Sequence, residues 1–411
     1  MNLFLSLALR NVFRNRLRSA VALMAIAAGC AALIINSGIV FNIFRELRDD
    51  AILGQYGHIQ IYRRGYSAGH LEDPERYLIA PDEAARIVAL ARSDPRVVRA
   101  TLRRGFSGLM ARNDRYVPFF GVAVEPEADI ELSRHVLLRA GRPLSQQNPY
   151  GVLAGLGLAK KLNASVGDEL SVMTTMQSGD LSSLHVRLQG IFEGGIKEYD
   201  DWTLKVPLPV AEHLLQDRRT EQIVLLLRKT DQVEKVRADL ESAFRNDGLD
   251  MEIRSWNQLA LFYNQVVGLF GKELTFLRFI IGAIVILAIG NAIGMSIVER
   301  HVELTTFRAL GVRTHSVARL LLTEAILEGL VGAALGMALG VAVAHIVTAI
   351  GISYPSPPGS TRPFLGGVDV VPGSVATAFA VSLIATLLSA VFPIWRVMRL
   401  PIAITLRGGP H

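Results

Sequence analysis

The sequence predicts a membrane α-helical protein with four transmembrane helices and a large α+β extracytoplasmic domain between the first two. Half of the 411 residues are hydrophobic. Four apolar runs are long enough to cross a bilayer core of about 30 Å, which takes about 20 helical residues. These runs are residues 19–44, 274–298, 320–350 and 374–397. Residues 45–272 contain no such run, so they are expected to form one inserted domain.

The distribution of arginine predicts how the chain is oriented. Residues 45–272 carry nearly equal numbers of basic and acidic residues, and every basic residue outside them is an arginine. Most of these arginines lie near the N-terminus, in residues 298–319 and in the tail after 396. Because basic segments stay in the cytoplasm, we expect both termini inside and residues 45–272 outside. The protein is therefore predicted to be a multi-pass protein of the cell inner (cytoplasmic) membrane. Arginines at membrane ends do not indicate a nucleic-acid site.

Residues 1–18 are predicted to form an interfacial amphipathic helix. Arg10, Arg14 and Arg18 recur at helical spacing, and apolar residues cover the opposite side. A helix with these two faces lies in the plane of the membrane surface. The single cysteine, Cys30, lies in the first span, so the inserted domain is expected to fold without disulfides.

The inserted domain is predicted to contain two nested parts. Alternating strand patterns and helical patterns in residues 45–125 and 217–255 suggest one α/β unit built from both ends of the domain. Residues 126–216 read as a β-rich insertion with Gly/Asp turns. Residues 256–272 are predicted to be a stalk helix that runs into the second span, and 351–370 to be a short outer loop.

Small residues in two spans predict close helix packing. Glycine recurs every fourth position, and small residues at this spacing let helix backbones approach closely in lipid. The glycines are Gly290 and Gly294 in the second span and Gly332, Gly336 and Gly340 in the third.

Residues 299–316, between the second and third spans, are predicted to be a docking element. Leu304, Phe307 and Leu310 fall on one stripe at helical spacing, and Gly311 supplies a helix stop. Arginines occupy the other side of this segment. A short cytoplasmic helix with one apolar and one basic face can bind a partner chain. The alternative for any single arginine here is a role in topology alone.

With these residues in view, the chain resembles ABC-transporter permeases of the MacB/FtsX type, a group that includes the lipoprotein-releasing LolC and LolE subunits. The blocks that carry the resemblance are residues 8–19, 155–192, 299–324 and 393–407. The resemblance implies four spans with a coupling helix and an extracytoplasmic domain made of porter and sabre subdomains. On this reading 45–125 and 217–255 are porter-like, and 126–216 are sabre-like.

The resemblance also implies partners and a mechanism. The expected partners are a cytoplasmic ABC ATPase dimer, a second permease copy or paralogue, membrane lipids, and a periplasmic carrier or lipoprotein. ATP-driven closure of the ATPases would be transmitted through the stalks to the outer domain. The coupling residues implied by the matching block are Glu299, Arg300, Glu303, Leu304, Phe307, Arg308, Leu310 and Gly311.

Catalysis by this chain is not expected. The sequence has no Gly-x-x-x-x-Gly-Lys-Ser/Thr loop for cradling phosphates. ATP and Mg²⁺ are therefore expected in the partner ATPase, with no catalytic residue, metal site or cofactor site here. Gly155-Leu-Gly157 is a partial dinucleotide fingerprint without the repeated βαβ context, and it reads as a turn.

The leading functional hypothesis is the membrane subunit of an ABC machine that extracts or exports a lipophilic or lipidated substrate. One alternative is an FtsX-like signalling scaffold that activates a cell-wall hydrolase, and another is MacB-like efflux of drugs or peptides. Residues 173–184 have a Gly-Asp turn and no proline, unlike the proline-bearing hairpin with which LolC members bind a carrier. This departure disfavours hand-over to a carrier and leaves extraction open.

Overall fold

The computed structural model describes residues 16–176, 178–299, 306, 312–354, 359–361 and 364–399. The chain forms two compact units. The helical unit comprises residues 1–44, 267–353 and 365–411, and the sheet unit comprises 45–266 and 354–364. The predicted interfacial helix lies almost wholly outside the described residues, which begin at Arg16.

Helices are numbered here in chain order. They are α1 (Arg16–Ala51), α2 (Tyr66–Gly69), α3 (Pro81–Arg92), α4 (Pro126–Leu132), α5 (Leu156–Leu162), α6 (Lys197–Trp202), α7 (Leu208–Leu215), α8 (Val233–Asn246), α9 (Trp256–Leu259), α10 (Leu261–Glu299), α11 (Thr314–Ile350) and α12 (Pro372–Arg399). A π-helical turn, Ile52–Tyr56, follows α1 directly. Short 3₁₀ turns occupy Pro74–Tyr77 and Thr230–Gln232.

Strands are numbered in the same way. They are β1 (Ile59–Arg63), β2 (Val97–Arg112), β3 (Arg115–Val124), β4 (Leu137–Gly141), β5 (Gly151–Gly155), β6 (Glu169–Thr175), β7 (Leu181–Glu193), β8 (Thr203–Pro207), β9 (Gln222–Leu227), β10 (Met251–Ser255), β11 (Ile352–Tyr354) and β12 (Phe364–Gly366).

The predicted fold class is confirmed. Four helices among the described residues are long and apolar enough to cross a membrane: Ser19–Tyr56, Leu261–Met295, Thr314–Ile350 and Pro372–Trp395. Each of them extends beyond its predicted apolar run at one end, the fourth by only two residues, because hydropathy detects only the apolar part of a longer helix. The inserted residues form the large α+β domain.

The helical unit has a core to which all four long helices contribute. Ile26 of α1, Val285 of α10, Ala333 of α11 and Ala385 of α12 are buried in one cluster. α10 is the least covered helix, and Phe276, Phe279 and Leu287 on it are more than 60% exposed within the chain. Its apolar surface is thus available to lipid or to another helix.

The first core of the sheet unit is built from both ends of the inserted domain. Strands β10, β1, β9 and β2 lie side by side and are antiparallel. Helices α3 and α8 pack on them. Proline at the first turn and two acidic residues favour the start of α3. In α8, Val236, Leu240 and Phe244 recur at helical spacing and are buried.

The second core lies inside a closed six-stranded barrel. The pairing order is β2, β3, β8, β5, β7 and β6, and β6 pairs back onto β2. The β3–β8 and β5–β7 pairs are parallel, and the others are antiparallel. Helix α7 packs against five of these strands. Because every barrel strand pairs with two other strands of the barrel, the barrel has no open edge.

Two details differ from the expected boundaries of the inserted domain. The predicted porter-like range 45–125 contains the whole hairpin β2–β3. In the structure, Phe106, Met110 and Phe119 of this hairpin are buried in the barrel. The hairpin is long enough to run through both cores, which a local pattern cannot show. The predicted stalk is also interrupted at Ala260, so the long helix begins at Leu261.

The loop between α11 and α12 is not a simple turn. Residues 354–364 belong to the sheet unit, whereas the residues on both sides of them belong to the helical unit. Within this loop, β11 pairs with β12. The sequence predicted only a short outer loop at 351–370.

Candidate functional site

The predicted coupling residues lie mostly outside the described residues. Glu299 is the last residue of α10 and is exposed. The seven others are Arg300, Glu303, Leu304, Phe307, Arg308, Leu310 and Gly311, and the structure does not describe them. Their role in docking stays a prediction.

The predicted glycine face of the third span contacts the first span. A Cβ on Gly336 would lie 2.6 Å from the carbonyl oxygen of Ala27 and 2.7 Å from Cβ of Cys30. A Cβ on Gly332 would lie 2.8 Å from Cβ of Ile26, and a Cβ on Gly340 would make a tight contact of 3.1 Å with Cα of Ala31. Gly332 and Gly336 therefore leave no room for a side chain, and α1 and α11 approach as closely as small residues allow.

The two glycines of the second span differ from this pattern. A Cβ on Gly290 would lie 3.6 Å from the carbonyl oxygen of Ser389, which is ordinary contact. A Cβ on Gly294 would meet no described atom within 4 Å. The predicted packing role of Gly294 is therefore not observed within a single chain, because its face of α10 is uncovered there.

A π-helical turn marks the point where the first long helix enters the sheet unit. Residues Ile52–Tyr56 widen the helix for one turn. Such π-helical turns are rare in proteins, and those that do occur are often found at functional sites. Gly57 ends the turn with a φ of 69°, and its amide donates to the carbonyl of Ile52 over 2.9 Å. A side chain at Gly57 would collide with Val224 of β9. The turn is thereby fixed against the first core.

Arg103 connects this turn to the interior of the domain. It lies on β2 and is only 4% exposed. Its guanidinium donates to the carbonyl of Gln55 in the π-helical turn. The same guanidinium lies 3.7 Å from the carboxylate of Asp129 on α4. A movement of the turn would therefore act directly on a buried charge.

Asp129 in turn binds a lysine from the barrel. Nζ of Lys205, on β8, donates to both carboxylate oxygens of Asp129 at 3.0 Å. It also donates to Oγ of Ser133 over 2.6 Å, and that hydroxyl donates to Asp129 over 3.0 Å. Lys205 is 1% exposed. We call Gln55, Arg103, Asp129, Ser133 and Lys205 the junction cluster.

The charges of the junction cluster fix its geometry. Burial raises the pKa of Asp129, but the Lys205 and Arg103 charges outweigh burial and hold that pKa below its usual value. The carboxylate therefore stays ionised. Charge-assisted hydrogen bonds in a buried site are short and directional, and an unpaired member would be strongly unfavourable. The cluster can carry displacement from the end of α1 to the barrel strand β8.

His58, immediately after the turn, is a structural residue. Its Nδ1 accepts a hydrogen bond from the amide of Leu227 over 3.1 Å. Nε2 therefore carries the ring proton and donates to Oγ1 of Thr230 over 3.1 Å. Burial lowers the pKa of His58 to about 4. The ring is neutral at physiological pH and holds β1 to β9.

Helix α10, which leads out of the sheet unit, has a separate attachment to that unit. Ser255 and Gln258 form a reciprocal capping box that starts α9. The amide of Trp256 donates to the carbonyl of His58 over 3.0 Å, and the Trp256 ring packs against Tyr263 of α10. Both helical connections thus meet at the start of β1.

The hairpin that departs from the LolC pattern is tight. The amide of Met176 donates to the carbonyl of Asp180 over 2.8 Å, and Gly179 adopts a φ of 87°. Leu181, at its base, is 82% exposed. The described part of the hairpin thus presents the apolar side chain of Leu181 at its base.

The sequence reasoning did not single out the junction cluster. One signal was present: Lys205 is a lone charge in Thr203–Pro207, where every residue is buried. A lysine in such a strand must have a buried partner. Its partner could not be identified, because Asp129 is 76 residues away in the chain.

Two models of known protein families match this chain, one over its first part and one over its last. The model of the MacB-like periplasmic core domain matches residues 19–243, which is more than half of the chain. The model of the FtsX-like permease C-terminal region matches residues 275–402. Together they cover the inserted domain up to residue 243 and most of the three later long helices.

Curated relatives are distant. An uncharacterised ABC transporter permease of Methanocaldococcus jannaschii is 24% identical over 222 residues, which are 52% of this chain and 53% of that protein. The chain thus spans about half the length of this relative. The lipoprotein-releasing system transmembrane protein LolC of Xylella fastidiosa is 22% identical over 326 residues, covering 76% of this chain and 73% of LolC.

Solved structures of related domains match weakly. The extracellular domain of the noncanonic ABC-type transporter YknZ from Gram-positive bacteria has a TM-score of 0.34 and 9% identity, over 48% of this chain and 99% of that domain. The periplasmic region of MacB from Actinobacillus actinomycetemcomitans has a TM-score of 0.37 and 13% identity, over 53% of this chain and 95% of that region.

These findings define first a class: a membrane protein with a periplasmic-type α+β domain between its first two long helices. More narrowly, the chain belongs to the MacB-like periplasmic core family and is an ABC transporter permease of the MacB/FtsX/LolC type. Permeases of this family are transporter subunits. The helices and core domain fit a multi-pass inner-membrane protein.

Proposed function

We propose that this chain relays ATP-driven motion of a separate ATPase, bound at residues 299–311, to the sheet unit. The sheet unit then extracts or exports a lipophilic or lipidated substrate at the outer membrane face. In this proposal two permease chains, identical or paralogous, stand on an ATPase dimer. ATP and Mg²⁺ bind only the ATPases.

The observation that carries this proposal is the junction cluster. The end of α1 is joined through Arg103 and Asp129 to Lys205 in the barrel. A domain that only anchored a binding surface would not require a buried ionic chain leading from its membrane helix into its second core. A relay of force requires a stiff, continuous connection of this kind.

The substrate class rests on weaker support. Two relatives that each match over 326 residues are named lipoprotein-releasing system transmembrane proteins. The tight hairpin at 176–180 lacks an extended hook, which favours extraction without transfer to a carrier. We therefore propose a lipidated protein or a lipid as the substrate.

The docking step is tested with the full chain and the ATPase encoded beside it. Phe307→Asp and Leu310→Asp place charges on the predicted apolar stripe and should weaken complex formation at least tenfold, as measured by co-purification and titration. Val312→Asp places the same charge beyond Gly311, outside the stripe, and should leave binding intact. Equal binding by all three variants would disprove docking at this segment.

The substrate is tested by mass spectrometry of what co-purifies with the complex before and after ATP addition. Lipoproteins or lipids that are released by ATP would support the proposal. A cell-wall hydrolase recovered in their place would contradict extraction and support a signalling scaffold.

A further inference from the structure

The loop between α11 and α12 is bonded to the barrel at three consecutive residues. The amide of Lys197 donates to the carbonyl of Gly359 over 2.9 Å, and the amide of Thr361 donates to the carbonyl of Gly195 over 3.0 Å. The hydroxyl of Ser360 donates to the same Gly195 carbonyl over 2.9 Å. We call residues 359–361 the strap and residues 194–200 the clasp.

Asp200 is a side chain of the clasp that bonds to the strap. It is 1% exposed. One carboxylate oxygen accepts from the amide of Gly194 over 2.6 Å, and the other accepts from Oγ1 of Thr361 over 2.9 Å. A buried carboxylate without such donors would be unfavourable, so Asp200 holds the strap at a defined position.

The clasp is itself packed into the barrel. The ring of Tyr199 packs against Phe192 of β7 with centroids 5.9 Å apart. A Cβ on Gly155, at the end of β5, would collide with the backbone of Asp200. A Cβ on Gly54, in the π-helical turn, would lie 3.7 Å from the carbonyl of Gly194. The clasp therefore lies against the π-helical turn that follows α1, as well as against the strap.

The far end of the same loop is fixed within the helical unit. The amide of Asp369 donates to the carbonyl of Gly38 in α1 over 3.0 Å. The amide of Val368 donates to Oγ1 of Thr348 in α11 over 3.0 Å. Val368 is buried against Gly38, where a Cβ would collide with it.

The chain between these two attachments is short. Six residues separate Thr361 from Val368, and the seven Cα–Cα steps between these two residues span at most about 25 Å. If the clasp moved farther than this from Gly38 and Thr348, the hydrogen bonds would break either at the strap or at Val368 and Asp369. A displacement of α1, α11 or α12 beyond that reach therefore pulls on the barrel.

We propose that the strap is a third mechanical connection between the spans and the sheet unit, and that Asp200 is its positioning residue. The strap delivers the movement of the third and fourth spans to the same clasp that contacts the end of α1. This inference rests on the relay proposed above. A loop that merely covered the surface would need neither a buried carboxylate nor bonds at both ends.

The first test measures the clasp without any partner. Hydrogen exchange of the full chain in nanodiscs should be slow for peptides covering 194–200 and 359–361. Thr361→Pro removes both donors of Thr361 and leaves every barrel residue in place, so exchange in both peptides should rise at least tenfold. Glu198→Gln, which changes an exposed carboxylate on the same helix α6, should leave it unchanged. Fast exchange in the unmodified chain would refute the strap.

The second test measures transmission in the complex with the ATPase. Spin-label pairs at 315 and 178, and at 315 and 246, in a Cys30→Ala background, report movement of the barrel and of the first core. Both distances should change when vanadate traps the nucleotide. With Thr361→Pro, the change at 178 should fall at least by half. Glu198→Gln should behave as the unmodified chain.

The outcomes separate the two proposals. No distance change in the unmodified complex would contradict the relay itself. An unmodified complex that moves, together with a Thr361→Pro complex that moves equally at 178, would contradict the strap alone. A disulfide between Ile196→Cys and Ser360→Cys, which are antiparallel bridge partners, should restore movement to the Thr361→Pro chain. Failure of that rescue would also contradict the strap.

Discussion

His58 shows how a single buried ring makes the sheet unit sensitive to acid. Its pKa is lowered to about 4 by burial, against about 6.5 in an unfolded chain. Between these values the unfolded chain binds a proton that the folded chain does not. His58 therefore stabilises the fold fully above pH 6.5, and this contribution is lost as the pH falls towards 4.

We expect the full chain in detergent to lose about 2 kcal/mol of unfolding free energy between pH 7 and pH 5 from this residue. Denaturant unfolding at several pH values measures it. His58→Gln should be less stable at pH 7 but should show a flatter pH dependence. His213→Gln, on the exposed side of α7, should keep the steep dependence. An unaltered slope in His58→Gln would show that His58 is not the titrating group.

At the scale of single residues, the sequence predicts regular spacings but does not predict which side chains far apart in the chain contact one another. Asp129, Lys205 and Asp200 are each ordinary residue types, and their roles come from contacts across 72 to 161 residues. The glycines at 332, 336 and 340 could be predicted, because a repeat every fourth residue is itself the structural property that packs helices.

At the scale of elements, the contact between α1 and α11 is the sharpest case. Gly336→Ala places a methyl group against Ala27 and Cys30, where the available space is too small. We expect a loss of about 1–3 kcal/mol, the usual range for overpacking. Thermal unfolding of the full chain in nanodiscs measures it.

Gly294→Ala is the matched control, since a Cβ there meets no described atom within 4 Å. It should be neutral or slightly stabilising, because alanine favours a helix over glycine. A Gly294→Ala chain that is destabilised as much as Gly336→Ala would indicate that the second span packs in the way first expected from the sequence.

Most elements of the inserted domain follow from local pattern. The sequence patterns predict a helix at 81–93 and strands at 57–62, 222–228 and 251–254, and these lie within two residues of α3, β1, β9 and β10. The closure of the barrel could not be predicted. It depends on the pairing of Leu109 with Met173, and the register of two distant strands is not encoded in either one.

At the scale of the whole molecule, the junction cluster should be needed for coupling more than for folding. Arg103→Met removes the bond to Gln55 and leaves Asp129 and Lys205 as a neutral pair. We expect the ATPase to bind and hydrolyse ATP normally while the distance change between labels at 315 and 178 falls at least by half. Pulsed electron paramagnetic resonance measures it.

Arg104→Met is the control for that experiment. Arg104 is the next residue on β2, is similarly buried and loses an ion pair of 2.9 Å with Asp217, but makes no bond to the π-helical turn. It should retain the full distance change. Equal uncoupling by both variants would mean that buried arginines matter for stability alone, and not for the relay.

The shared hairpin β2–β3 has a consequence for how the protein is made. All six barrel strands lie between residues 97 and 207, whereas the first core needs β1 to pair with β10, almost 200 residues later in the chain. During translation the barrel is therefore complete before the first core can close, and long-range pairing is the slower event. We expect nascent chains stalled at about residue 250, with β8 outside the ribosome and β10 not yet made, to protect the barrel from protease while β1 is still cleavable.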